Sequence, residues 1–187
     1  MLVSEDLFLE TPRLRLQPMM SKDSEEWWRA IWCDAEVTRY LPPRKPIAPE
    51  AMPERMQRVA SHWDAHDLGI WSVRDMSEGS LVGHCGLVLN EPPDVELIYA
   101  FARSVWGRGF ATEASACVTA YAFQRRGLDQ LIALVFAENV ASVRVLEKLG
   151  FIREGETSRF GARLRRYVLR SRGSRRPQES VYKPKHG

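Results

Sequence analysis

The sequence predicts an α/β (α+β) fold: a single domain built on one mixed, mostly antiparallel central sheet with helices on both faces. Three observations carry this. The chain has 187 residues, which at roughly 150 residues per domain leaves room for one. Strand-type segments alternate with helix-type segments, the pattern of a sheet covered by helices. There is no internal repeat, so solenoids and propellers are excluded. The expected division is a domain over residues 1–170 and a basic, flexible tail over 171–187.

Residues 13–16, Arg-Leu-Arg-Leu, alternate charged and apolar side chains as a half-buried edge strand does. Residues 21–34 read as a helix that Ser21 or Asp23 can cap, with Trp28, Ile31 and Trp32 on one face. Pro42, Pro43, Pro46 and Pro49 then force a non-helical connection. Residues 49–66 form a second helix, because Met52, Met56, Val59 and Trp63 fall on a single apolar stripe. Residues 69–73 and 81–89 read as paired strands around the turn Arg74-Asp-Met-Ser-Glu-Gly-Ser. Residues 95–101 are apolar apart from Glu96. A helix rich in small residues is predicted over 111–126, with Gly127 placed for a left-handed cap. Residues 131–136 are a continuous apolar strand of buried type. A short helix over 141–149 closes at Gly150, and a last strand occupies 163–169. Beyond Arg170 no periodicity remains.

Hydrophobic residues make up 44% of the chain and charged residues 27%, the balance of an ordinary globular protein. No apolar run of 18 residues exists, which excludes a membrane-spanning helix. The N-terminal segment carries acids where a signal peptide needs a basic region, so a cytoplasmic location is expected. The net charge of +3 is unevenly spread. Residues 153–187 hold eleven basic and three acidic side chains, a local +8, and the rest of the chain carries −5. Aromatic interleaving over residues 163–185 is limited to Tyr167 and Tyr182, so no specific nucleic-acid partner is predicted. Cys33, Cys85 and Cys117 are odd in number and widely spaced, which suits reduced thiols. His62 and His66 lie four apart with no Cys or further His near them, so no metal is expected.

Two stretches carry chemistry. In the first, a strand runs into Trp106-Gly-Arg-Gly-Phe-Ala-Thr-Glu-Ala and directly into a helix. Glycine lets backbone approach a ligand, and the first N–H groups of a helix lack internal partners. With the helix dipole they form a site for phosphate or pyrophosphate. Arg103 and Arg108 add charge on the same loop. The motif lacks the third glycine of a dinucleotide fingerprint and the Gly-Lys-Ser/Thr of a P-loop. A capped β–α turn explains the same residues structurally. The second stretch is Glu138-Asn-Val-Ala-Ser-Val-Arg-Val-Leu-Glu-Lys-Leu-Gly-Phe151, where Asn139 and Ser142 are both helix-capping types.

Together the two stretches resemble the GNAT superfamily of acetyl-CoA-dependent N-acetyltransferases, in the branch of the bacterial ribosomal-protein N-terminal acetyltransferases. Glu10-Thr-Pro-Arg-Leu-Arg-Leu and Asp34-Ala-Glu-Val-Thr-Arg-Tyr-Leu-Pro resemble that branch too, so the likeness covers about residues 8–170. The resemblance implies a GNAT-like domain whose strand at 95–101 carries a bulge and splays from 131–136 to admit acetyl-CoA. It implies cofactor contacts at Arg103, Trp106, Gly107, Arg108, Gly109, Phe110, Ala111, Thr112 and Asn139. Trp106 stands where many members have Gln or Arg. Leu146 stands where many carry the tyrosine that protonates the leaving thiolate, and Ser142 is its replacement. Glu96 is the expected general base, with Glu113 a weaker choice that suits the helix dipole. Trp32, Arg39 and Tyr40 are the expected contacts to the acceptor amine. The reaction so implied is direct attack by a primary amine, of a protein N-terminus or a small molecule, by a monomer or homodimer with no membrane partner. A non-catalytic acyl-CoA sensor is the alternative, since no tyrosine stands at 146.

Overall fold

The computed structural model describes residues 7–89 and 92–171. In chain order its strands are β1 (Leu9–Glu10), β2 (Leu14–Pro18), β3 (Ile70–Asp75), β4 (Leu81–Leu89), β5 (Val95–Phe101), β6 (Gln130–Val135), β7 (Ile152–Arg159) and β8 (Ala162–Arg170). Its helices are α1 (Ser24–Trp27), α2 (Ala35–Thr38), α3 (Met52–His66), α4 (Phe110–Gln124) and α5 (Val140–Lys148). The strands form one eight-stranded sheet in the order β1-β2-β3-β4-β5-β6-β8-β7. All neighbours are antiparallel except β5 and β6, which flank the crossover helix α4.

Helix α4 packs on one face of the sheet against β2, β4 and β5, and α5 packs beside it and on β6. Helix α1 contacts β4 on the other face and also meets α3. Trp71 of β3 is fully buried and joins the layers, edge-on to Trp63 of α3 and Tyr121 of α4. The 3.6-residue stripe explains α3, whose Met52, Met56, Val59 and Trp63 are its buried residues.

Besides the short β1 and α2, which the sequence reading did not include, three departures from the sequence expectations bear on the site. The helix expected over 21–34 is a 3-10 turn at Ser21–Asp23, then α1, then a π-helical turn at Trp28–Trp32. The wider turn brings Trp27, not Trp28, into the core beside Ile31 and Trp32. Trp28 instead donates from Nε1 to the Ile47 carbonyl at 2.9 Å. Strand β7 was not anticipated, because its sequence Ile-Arg-Glu-Gly-Glu-Thr-Ser-Arg has no apolar alternation. It is an edge strand, held by its ladder to β8 and by ion pairs. The bulge expected in β5 is absent from its pairing with β4, which runs in constant register from Gly83–Phe101 to Leu89–Val95. Register shifts occur instead between Val73 and Arg74 and between Arg153 and Gly155. The tail lies almost wholly outside the described residues, and β8 ends at Arg170.

Candidate active site

Pairing of β5 with β6 is confined to Glu96 and Ile132, and beyond it the two strands part. Just past the end of β5, Ala102 N–H donates to the Val82 carbonyl of β4. Donor direction alternates along a strand, so the even-numbered N–H groups of β5 face β4 and those of Leu97 and Tyr99 face β6. Side chains alternate as well. Glu96 and Ile98 share one face with His84 and Val88 of β4, whereas Leu97 and Tyr99 share the other with Cys85 and Leu87.

The chain leaves β5 through a 3-10 turn at Arg103–Val105 and enters α4 through Gly107 and Gly109. Both glycines are left-handed, with φ of +78° and +81°. The first helical bond is Glu113 N–H to Gly109 O, and no side chain caps the N-terminus. Gly109, Phe110, Ala111 and Thr112 thus lie in the turn whose N–H groups find no acceptor within the helix. Trp106 is 51% exposed and pins the loop through Nε1–H to the Phe101 carbonyl at 2.8 Å. The two arginines expected to add charge are engaged elsewhere. Arg108 pairs with Asp75 at 3.2 Å and lies over the Phe110 ring, and Arg103 pairs with Asp34 at 3.3 Å. Both line a shallow groove shared with Glu26 and Glu78. Glu113 anchors the β1–β2 turn, accepting from Thr11 Oγ1 at 2.6 Å and Arg13 Nε at 2.7 Å. Burial pushes its carboxyl up, but these bonds outweigh burial and hold it below its ordinary value.

A cavity of about 430 Å³ passes through the gap between β5 and β6. Its wall brings together Glu96, Tyr99, Asn139, Ser142, Leu146, Trp32 and Tyr40. Glu96 is only 8% exposed, not a solvated edge residue, and Arg159 of β7 holds its Oε2 at 3.1 Å. Asn139 caps α5, with Oδ1 accepting from Ser142 N–H at 3.1 Å. That capping is the structural role the sequence allowed, and it leaves the amide nitrogen as a donor. Ser142 Oγ lies 2.8 Å from the Tyr99 hydroxyl, which also donates to the Ser142 carbonyl at 3.2 Å. Burial raises the Tyr99 phenol above its ordinary value, so it stays protonated at neutral pH. Tyr99 is the polar cavity residue, hydrogen-bonded to Ser142, that sequence reasoning missed. Its only signal was its position three residues from Glu96 on the opposite face of one strand.

The far side of the cavity is built by α3 and the first helical segment. Arg55, Arg58, Val59 and His62 line it at helical spacing. The Arg55 guanidinium sits 4.0 Å over the Trp32 ring, and Trp32 meets Trp27 edge-on at 5.6 Å. Trp27 Nε1–H donates to His84 Nδ1 at 3.0 Å. Burial, with Arg55 nearby, lowers His84 to about 3. The ring is therefore neutral and carries its proton on Nε2. Tyr40 lies against Phe136 and donates weakly to the Glu138 carbonyl at 3.4 Å. Arg39 is placed outside the cavity wall, on the surface beside Glu36 and over the Tyr40 ring. Among the described residues, no group of three His, Cys, Asp or Glu could hold a metal ion. No helix there is long and apolar enough to cross a membrane. The three cysteines are unpaired, and burial raises the Cys85 thiol to about 12.

The family model of the acetyltransferase (GNAT) domain matches residues 13–152. The chain belongs to the GNAT acetyltransferase family. It is 30% identical over 150 residues to the uncharacterised protein YkkB of Bacillus subtilis, covering 76% of this chain and 83% of that protein. It is 31% identical over 149 residues to the uncharacterised N-acetyltransferase YoaA of the same organism, covering 79% and 84%. A GNAT-family acetyltransferase from Bacillus anthracis superposes with a TM-score of 0.75 at 25% identity, over 87% of this chain and 98% of that one. RimL, a ribosomal L7/L12 α-N-protein acetyltransferase solved with coenzyme A, shares the fold with a TM-score of 0.76 at 13% identity, over 87% and 97%. This GNAT chain is accordingly an N-acetyltransferase, and its parted strands and uncapped α4 suit the co-substrate of that family.

Proposed function

We propose that this GNAT enzyme moves an acetyl group from acetyl-CoA to a primary amine by direct attack in a ternary complex. The observation that carries the reading is one cavity holding Glu96 on one face of β5 and the Tyr99–Ser142 hydroxyl pair on the other. An acid–base reaction at a thioester needs a proton acceptor for the amine and a proton donor for the leaving sulfur, and these groups supply one on each side.

Acetyl-CoA supplies the activated acyl carbon when bound. Backbone N–H groups of Gly107 and Gly109 to Ala111 hold its pyrophosphate, aided by the α4 dipole. The backbone does this work, since the Arg103 and Arg108 side chains pair with acids. Asn139 donates to the pantetheine arm. Glu96 receives the amine proton, directly or through water, with Arg159 fixing its carboxylate. The Tyr99 N–H, beyond the last pairing with β6, donates to the charge developing on the carbonyl oxygen. Tyr99 and Ser142 then protonate the departing thiolate. A serine alone is a poor acid, and the phenol beside it removes that difficulty, which favours catalysis over a sensor role. Trp32 and Tyr40 border the acceptor amine. Solubility, a cytoplasmic site of action and a monomeric or dimeric state fit this reading.

The test is a thermal-shift titration with acetyl-CoA followed by a free-thiol assay over an amine panel. Stabilisation together with amine-dependent thiol release is expected. Binding with no release for any amine would leave the sensor reading, and no binding at all would overturn both.

A further inference from the structure

The acceptor side of the cavity is lined by hydrogen-bond donors and cations. Arg55 and Arg58 contribute two guanidinium groups, and neutral His84 contributes its Nε2–H. Arg58 pairs with Glu54 at 3.3 Å. Among the described residues no carboxylate forms an ion pair or hydrogen bond with Arg55, which is half-buried on the Trp32 ring. Trp32 Nε1–H is itself buried with no partner. The carboxylate in this wall is Glu96, already held by Arg159. Glu54 lies near enough to act on Arg55 through charge but makes no ion pair with it, and a partly desolvated guanidinium with no direct ion-pair partner is suited to an anion. The same wall repels polyamines and other polycations.

Resting on the acetyltransferase reading, we infer that the acceptor is a small amine that also carries a carboxylate, of the amino-acid or short-peptide class, with that carboxylate on Arg55. Its amine lies at Glu96 and its carboxylate at the Arg55–His84 end. Val88 faces Glu96 across the ladder, and His84 lies four residues further along β4, about 13 Å. Side chains reaching in from both ends shorten that span to the length of one to three residues. Arg55 sets specificity and takes no part in the chemical step.

The experiment uses the full chain and matched acceptors: amino acids, dipeptides and tripeptides with a free C-terminal carboxylate, and the same compounds as carboxamides. The free acids are expected to show kcat/KM on the order of 10- to 100-fold higher, the value of a charge-assisted hydrogen bond pair. Arg55→Gln abolishes that ratio by lowering only the free-acid rates, and Arg55→Lys restores part of it. Melting temperatures with acetyl-CoA verify that the variants fold. Equal use of acid and amide, or an equal loss on both in Arg55→Gln, overturns the assignment. A second arm measures binding of an N-acetyl dipeptide and its carboxamide to the CoA-loaded enzyme by calorimetry, with no turnover required. Preference for the free acid there, with no amine acetylated in the first arm, overturns the transferase reading and supports this pocket. No preference in calorimetry overturns the pocket whatever the turnover.

Discussion

At the scale of single residues, the hydroxyl pair carries the sharpest prediction. Tyr99 and Ser142 share one hydrogen bond at 2.8 Å, so in the proposed mechanism removing either breaks the same proton path. Tyr99→Phe and Ser142→Ala are each expected to lower kcat by about 10²-fold, the usual weight of general acid catalysis. The KM for acetyl-CoA should change little. The double variant should fall no further than the worse single one, since residues acting as a unit are non-additive. Full additivity in steady-state kinetics would separate the two groups into unrelated roles. Glu96 was legible in the sequence because a lone carboxylate in an apolar strand asks for a reason. Tyr99 was not, because tyrosine is a common strand residue and its role arises only when α5 brings Ser142 to it. Arg39 shows the reverse. It sits in a recognisable motif, yet its side chain turns outward to Glu36.

At the scale of elements, periodicity revealed what it could. Strands β3, β4, β5 and β6 and helices α3, α4 and α5 follow from apolar spacing and glycine caps. Strand β7 and the π-helical turn do not, because ion pairs and tertiary packing decide them. The missed strand matters, since β7 supplies the Arg159 that holds Glu96. The loop into α4 allows a separate test. A Cβ on Gly109 would meet nothing closer than Arg13 Nη2 at 3.6 Å, so only its φ of +81° resists substitution. Gly109→Ala should cost about 1–2 kcal/mol, the penalty of a left-handed conformation. If the backbone here binds pyrophosphate, the KM for acetyl-CoA should rise as well, with kcat nearly constant. A stability loss without a change in KM would place the phosphate elsewhere. Denaturant melts and acetyl-CoA titrations read the two effects independently.

At the scale of the whole molecule, charge and protonation decide two outcomes. Among the described residues, most of the arginines beyond residue 152 are ion-paired within the fold. Arg153 and Arg163 pair with Glu156, Arg159 with Glu96, Arg166 with Asp94 and Glu154, and Arg170 with Glu154. These ion pairs tie the sheet edge together. Residues 172–187 hold five basic side chains and one acid, so a chain ending at Ser171 falls from +3 to −1. That truncation should leave kcat and melting temperature unchanged, and a lost acceptor preference would assign recognition to the tail. Protonation acts through the histidines. His84 is lowered to about 3 and His62 to about 4, each by burial first, against 6.5 in an exposed chain. The unfolded chain therefore binds more protons than the folded one below pH 6.5, and stability must fall as pH drops through that value. Between pH 6.5 and 5, before ordinary carboxylates titrate, fully buried His84 alone should contribute a slope approaching about 1.4 kcal/mol per pH unit. His62 adds less, being partly solvated. His84→Asn keeps an oxygen to accept from Trp27 Nε1–H and removes the titration, so its pH slope should be shallower over that range, leaving the contribution of His62. Urea melts at half-unit pH steps measure this, and parallel curves for the two proteins would show that His84 is protonated in the fold.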